Sequence, residues 1–379
     1  MKKTFIIIAG ETSGDKHAAG LVRCMKERED VRFVGIGGDE MTAAGVNVIH
    51  HVREMSVMGF SEVLSKLPFF AEVRNDLLRV VREQKPTAAV LVDFPGFNLR
   101  FAKLARREGL KVFYYVSPQV WAWGRRRIKT IRRTVDLMLT IFKFEEEMYS
   151  QEKVRAEFVG HPLLDEMKVN DQNETKAFRS GFVGGSGKLL ALLPGSRLQE
   201  IRRILPTMLD AAQILRDDLR REGVDIAPVI GCAPSIDDEA YSRIVEYSGV
   251  DAHLSHDTPL LMDSADAGMV ASGTATLEAA LHNLPMLVAY RTSPLTYFIG
   301  KSLVKLKSIS LVNIVAQQKI VEELVQNEFR PVKAAGIVKP MILRSEVSEG
   351  IRKKYAALRN ILGEPGASER AAELILKEA

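Results

Sequence analysis

The first strand-like run, residues 4–9 (Thr4-Phe5-Ile6-Ile7-Ile8-Ala9), is short, apolar from Phe5 onward and free of charge. Alternation of apolar and polar residues would mark a strand with one wet face. A continuous run needs cover on both faces, which a parallel sheet between helices supplies. Comparable runs recur at residues 31–36, 87–92, 111–116 and 137–141, separated by helix-patterned segments at 16–27, 99–108 and about 125–133. Strands alternating with helices predict a parallel α/β architecture. A polar, glycine-rich stretch then intervenes, and a second series begins at residues 188–193 and continues at 226–230, 267–270 and 286–289.

At 379 residues the chain exceeds what one ordinary core organises, since single cores rarely grow beyond roughly 250–300 residues. The expected layout is an N-terminal domain over residues 1–168, a linker over 169–187, a second α/β domain over 188–340 and a C-terminal helical segment over 341–379. Both halves read as Rossmann-like, doubly wound domains facing a cleft. In such sheets ligands bind beyond the carboxyl ends of the strands. The informative residues are therefore those that follow strands.

Several classes are disfavoured. No run approaches the roughly 20 apolar residues of a membrane span, and residues 4–9 are too short for a signal-peptide core. The net charge of +5 does not by itself call for nucleic acid. Positive charge is concentrated in Arg125-Arg126-Arg127 with Lys129, Arg132 and Arg133, which reads as a solvated helix face or a site for phosphates or an anionic membrane. Cys24 and Cys232 lack metal-ligand spacing and read as buried thiols in a reducing compartment.

Four post-strand motifs carry the chemistry. Gly10-Glu11-Thr12-Ser13-Gly14-Asp15 follows the first strand. Its small residues admit a ligand, but Thr12 breaks the G-x-G-x-x-G fingerprint of dinucleotide oxidoreductases. Gly35-Ile36-Gly37-Gly38 falls short of it too. Asp93-Phe94-Pro95-Gly96-Phe97-Asn98 puts a carboxylate at a strand end, as a general base or a helix cap. Pro194-Gly195-Ser196-Arg197 offers a turn arginine, suited to a diphosphate or simply exposed. Ser272-Gly273-Thr274-Ala275-Thr276-Leu277-Glu278 sets hydroxyls and amides at a helix start, with Glu278 one turn on, within reach of a ribose. A fifth feature, residues 58–78, interleaves Leu64, Leu67, Phe69, Phe70, Leu77 and Leu78 with Lys66, Arg74 and Arg79. It reads as core helix or, around Leu67-Pro68-Phe69-Phe70, as a basic-rimmed apolar patch.

Taken in order, these blocks resemble the bacterial lipid-A-disaccharide synthases. Tyr115-Val116-Ser117-Pro118-Gln119-Val120-Trp121-Ala122-Trp123, Phe142-Lys143-Phe144-Glu145 and Val159-Gly160-His161-Pro162 belong to the same pattern. The resemblance implies the GT-B architecture and an inverting hexosyltransferase. Such an enzyme joins UDP-2,3-diacylglucosamine to 2,3-diacylglucosamine 1-phosphate (lipid X), giving a β-1,6 disaccharide 1-phosphate and UDP. It implies Asp93 as base and a donor side formed by Arg197, Ser272, Gly273, Thr274 and Glu278. Asn313, Glu323 and Gln326 match the family's remaining donor block, although Val312 and Gln318 stand where the family has proline and arginine. Glu11, Ser13, Asp15 and Asn98 become candidates for the acceptor side; Glu11 and Asp15 are also the competing carboxylates for the role of base, with His17 a further candidate. No cofactor or metal is expected. The implied setting is cytoplasmic, peripheral on the anionic inner face of the inner membrane, as a homodimer that exchanges C-terminal segments. The rivals are another GT-B enzyme acting on UDP-N-acetylglucosamine, such as the peptidoglycan transferase or the 2-epimerase, and a nucleotide-binding oxidoreductase.

Overall fold

A computed structural model describes residues 2–55, 67–121, 124–167, 170–293 and 308–379. Ala122 and Trp123 lie outside the described residues, as does the part of the apolar stripe in residues 58–66 that holds Leu64 and Lys66. The chain divides into two compact units, residues 1–166 with 362–379, and residues 167–361.

In the first unit β1 (Lys3–Ala9), β2 (Val31–Gly37), β3 (Asn47–His51), β4 (Ala88–Val92), β5 (Lys111–Tyr115), β6 (Leu137–Thr140) and β7 (Ala156–Phe158) form one parallel sheet of order β3-β2-β1-β4-β5-β6-β7. In the second, β8 (Lys188–Leu193), β9 (Ile226–Gly231), β10 (His253–Ser255), β11 (Ala267–Ala271), β12 (Met286–Tyr290) and β13 (Glu322–Val325) form another, of order β10-β9-β8-β11-β12-β13. The apolar runs are the central strands, and β4 and β11 are buried along their whole length. The less apolar β3, β7, β10 and β13 lie at sheet edges, where a buried pattern is not required, and the apolar-run reading passes over them.

Helices start earlier than the hydrophobic pattern suggests. The first runs over Thr12–Arg28, so most of the glycine–serine loop after β1 is its first turn. The helix after β4 begins at Pro95, not at about residue 99, and proline suits a first helical position because its missing N–H has no partner there.

Residues 170–187 are more than a tether. They hold a helix, Gln172–Ser180, with a reciprocal capping box between Asp171 and Glu174. Arg179 reaches Asp266 at 2.9 Å and the Gly187 carbonyl at 3.0 Å, which fastens this helix to the second sheet. The C-terminal stretch is helical but divided: Pro331–Leu343 and most of Ser345–Leu362 pack with the second unit, and Ala367–Glu378 belongs to the first. That last helix lies against Thr12–Arg28. Asp165 caps it, accepting the amides of Gly366, Ala367 and Ser368 at 2.6–3.1 Å. Gly160 sits at φ +87°, and a Cβ there would stand 2.7 Å from the Arg370 guanidinium that ties the same helix down. Among the described residues no helix is long and apolar enough to cross a membrane.

Candidate active site

Strand order reverses beside the first strand of each unit. β1 has β2 on one side and β4 on the other, and β8 has β9 and β11. Such a switch point opens a crevice at the carboxyl ends of the two diverging strands. Ala9 pairs with Val92, so the loops starting at Gly10 and Asp93 leave the sheet side by side. Leu193 pairs with Val270, which sets the turn at Pro194–Arg197 beside Ser272–Glu278. The four motifs, scattered in sequence, are thus two adjacent pairs at two equivalent positions.

At the first position Asp93 and Phe94 both have left-handed backbones, φ +45° and +43°. Two consecutive non-glycine residues there cost of order 1–3 kcal/mol each and persist only if their surroundings impose them. Asn98, fully buried, donates to the carbonyls of Asp93 at 2.8 Å and Val92 at 3.2 Å. The Tyr114 hydroxyl also donates to the Asp93 carbonyl at 2.5 Å, and the Asp93 amide bonds to the Tyr115 carbonyl at 3.2 Å. Gly10 completes the clamp, because a Cβ on it would lie 2.2 Å from the Phe94 ring.

Phe94 is the helix N-cap residue, without a side-chain cap bond, so capping does not explain Asp93. Burial, and next the negative charge of Glu11, push the Asp93 carboxyl up to about 6. A carboxylate with that affinity for protons is suited to general-base work near neutral pH.

The neighbouring candidates divide by role. Glu11 is exposed and Ser13 half-buried in the first turn of the Thr12–Arg28 helix. Asp15, expected on the acceptor side, is buried, and its oxygens accept the amides of Gly38, Glu40 and Met41 at 2.6–3.2 Å. It caps the short helix Asp39–Ala43, which accounts for the Gly37-Gly38 turn. Asn98 spends its side-chain N–H groups on the backbone carbonyls it holds. His17 is buried, with Nδ1 2.6 Å from Glu166 Oε1, and Lys16 lies 2.9 Å from Glu166 Oε2. Burial alone would raise the Glu166 carboxyl, but the bond from His17 and the charges of His17 and Lys16 outweigh it and bring it down.

The blocks at Trp121, Glu145 and His161 pack together, and the His161 ring meets that of His17 edge-on at 6.4 Å. The Trp121 indole N–H donates to Glu145 Oε1 at 2.9 Å, and its ring meets Phe144 edge-on. Phe142 stacks on Phe144 and tilts against His161. Burial pushes Glu145 up to about 8, and burial followed by the charge of His17 brings His161 down to about 3. Both shifts favour the uncharged form of the buried group. Sequence reasoning missed Glu166, Tyr114 and Glu145 as individual contributors; the only signal was that Glu145 ends the string Phe142-Lys143-Phe144-Glu145.

At the second position Arg197 is half-exposed and bonds Glu200 at 3.1 Å. Ser272 donates to the Ile309 carbonyl at 3.0 Å. Gly273, not a hydroxyl residue, is the N-cap of the helix Thr274–Leu281, and it is exposed. Thr274 and Glu278 are half-buried on that helix.

Asn313, Glu323 and Gln326 occupy a different level of the design. The Asn313 side chain donates to Glu323 at 2.7 Å and accepts the Ile320 amide at 2.7 Å. Glu323 accepts the amides of Ile309 and Ser310 at 3.0 Å each. Gln326 pairs with both backbone groups of Thr292, at 3.1 and 3.2 Å. Glu323, held in turn by Asn313, fixes the segment whose Ile309 carbonyl accepts from Ser272. Val312 is buried and Gln318 exposed.

Known proteins share this fold. Putative UDP-N-acetylglucosamine 2-epimerase from Listeria monocytogenes has a similar structure, with TM-score 0.64 and 12% identity, over 100% of this chain and 97% of that one. CalG4, the calicheamicin glycosyltransferase, gives TM-score 0.62 at 13% identity over 100% and 99%. At such identities the likeness concerns the fold, which is that of the GT-B glycosyltransferases, two Rossmann-like domains in one chain. Sequence relatives are much nearer. Lipid-A-disaccharide synthase of Myxococcus xanthus is 42% identical over 98% of this chain and 96% of its own length. That of Geobacter sulfurreducens is 37% identical over 98% and 96%. The family model described as lipid-A-disaccharide synthetase matches residues 5–377, and the chain belongs to that family.

Proposed function

We propose that this protein is a lipid-A-disaccharide synthase, a glycosyltransferase that joins UDP-2,3-diacylglucosamine to 2,3-diacylglucosamine 1-phosphate with inversion and releases UDP. The observation that carries the mechanism is the clamped, partly buried Asp93 with its raised proton affinity, beside a first-strand loop of small residues. Asp93 takes the proton of the acceptor's 6-hydroxyl as that oxygen attacks the donor's anomeric carbon. The sugar–phosphate bond breaks in the same step, so one base suffices. Arg197 and the amides opening the Thr274–Leu281 helix meet the charge that develops on UDP, and Glu278 accepts from the ribose. Asn313, Glu323 and Gln326 act on the donor side by fixing the loops that line it. Glu11 and Ser13 remain on the acceptor side.

Phe69 and Phe70 belong to a chain of ring contacts that runs on through Phe94 and Phe97 and ends next to Asp93. In the proposed reaction this strip receives acyl chains. The exposed Arg125, Arg126, Lys129, Arg132 and Arg133 attract the anionic inner face of the inner membrane. A homodimer is part of the same proposal.

The direct test is incubation of the purified protein with both lipid substrates. Appearance of a disaccharide 1-phosphate with stoichiometric UDP supports the proposal. Release of UDP without the disaccharide, or an epimerised UDP-sugar, refutes it.

A further inference from the structure

Cys232, Asp238 and His256 belong to none of the motifs above, and 24 residues separate the thiol from the imidazole. The fold nevertheless brings them together. The last rung between β9 and β10 pairs Gly231 with Ser255. Beyond it the Cys232 amide still bonds the Ser255 carbonyl at 2.8 Å, so Cys232 and His256 leave the sheet as neighbours. Asp238 opens the helix Asp238–Ser248, and that helix is pinned to the same loop by the Ala233 amide, which donates to the Tyr241 hydroxyl at 2.9 Å.

One sulfur, one carboxylate oxygen and one imidazole nitrogen consequently lie within 4.8 Å of one another, the sole such trio of potential ligands among the described residues. His256 Nε2 stands 3.2 Å from Asp238 Oδ2. Two donors each about 2.0–2.1 Å from a tetrahedral ion are about 3.3 Å apart, so this edge is already the right length. The sulfur is buried and the other two groups are exposed, which gives the trio an opening to solvent.

We propose that Cys232, Asp238 and His256 bind a thiophilic divalent cation of the zinc class, with a fourth position left to water. A sulfur–nitrogen–oxygen donor set favours such an ion over magnesium or calcium, which take oxygen ligands. Bound there, the cation ties the loops after β9 and β10 to the start of the Asp238–Ser248 helix. The cation takes the sulfur as thiolate, so binding releases a proton to solvent.

Cobalt(II), titrated into the full chain after removal of metal by a chelator, is the probe. The expected result is a thiolate-to-cobalt charge-transfer band that bleaches on adding zinc. Cys232→Ser abolishes the band, His256→Ala weakens cobalt binding at least tenfold, and Cys24→Ser leaves both unchanged. Zinc raises the melting temperature of the wild type and not of Cys232→Ser, with circular dichroism confirming that each variant is folded. Absence of the band, its persistence in Cys232→Ser, or wild-type affinity in His256→Ala overturns the proposal and leaves His256 and Asp238 a surface ion pair.

Discussion

The loops after β4 and β11 stand at the same place in their respective sheets and solve opposite problems. After β4, two left-handed non-glycine residues are held by Asn98, Tyr114 and a glycine that accepts a phenyl ring, and a carboxylate is kept where water hydrates it poorly. After β11, an exposed glycine precedes a helix start flanked by hydroxyls, and the holding is done from behind by Ser272 on the Ile309 carbonyl. Burial raises the basicity of a carboxylate, which suits proton transfer. An open helix N-terminus favours negative charge, which suits a diphosphate. In the proposed reaction, equivalent positions on two Rossmann-like sheets would offer proton chemistry in one unit and anion binding in the other.

Removing the basicity at the first position is expected to have the largest effect. Asp93→Asn should lower turnover by about 10²–10⁴-fold while leaving UDP affinity within about twofold. Near-wild-type turnover in a coupled UDP-release assay would reassign the base to Glu11 or His17. In the wild type, kcat/KM should fall as pH drops below about 6, following protonation of Asp93.

Loosening the clamp should come next. Asn98→Ala removes donors to the Asp93 and Val92 carbonyls, and each lost bond should cost about 0.5–1.5 kcal/mol of unfolding free energy in a urea melt. Turnover should drop as well, since the left-handed pair loses its restraint. An unchanged urea midpoint would mean that Tyr114 and Gly10 hold the loop without Asn98.

At the second position Arg197→Ala should weaken UDP binding about tenfold by calorimetry, a modest figure because Arg197 is half-exposed and already bonded to Glu200. Turnover at saturating donor should change less than in Asp93→Asn. Equal losses at the two positions would erase the contrast drawn between them.

A smaller effect tests the electrostatics alone. The Asp93 carboxyl is raised from 3.8 to about 6, so the folded state holds its proton over a range where the unfolded chain has released it. Stability therefore falls as pH rises from about 4 to about 6, and the penalty is complete above that. Asp93→Asn should be more stable than wild type at pH 8, by about 1–3 kcal/mol at most, and no more stable at pH 4. Equal melting curves at pH 8 would show that the carboxylate is well hydrated. Phe69→Ser with Phe70→Ser should reduce binding to anionic liposomes several-fold and leave UDP affinity intact. Because both rings also pack against the core of the first unit, a collapsed melting transition would assign them to folding.

The sequence alone was enough to determine the parallel α/β class, the two-unit layout and the post-strand motifs. Continuous apolar runs admit only strands covered on both faces, and a ligand loop must keep small residues wherever the chain folds it. Membership of the family was equally legible, because the blocks resembling it are local strings. Pairwise meetings between distant residues were not legible. Asp15 resembles a binding-loop carboxylate until its oxygens are seen on the amides of Gly38, Glu40 and Met41, and Asn313 resembles a ligand contact until its amide is seen on Glu323 and Ile320. Only the tertiary structure separated the helix-cap reading of Asp93 from a clamped carboxylate, and only strand register set Cys232 beside His256. A polar side chain states in sequence what it can bond, but burial and register decide which partner takes the bond, and both arise only when distant segments pack.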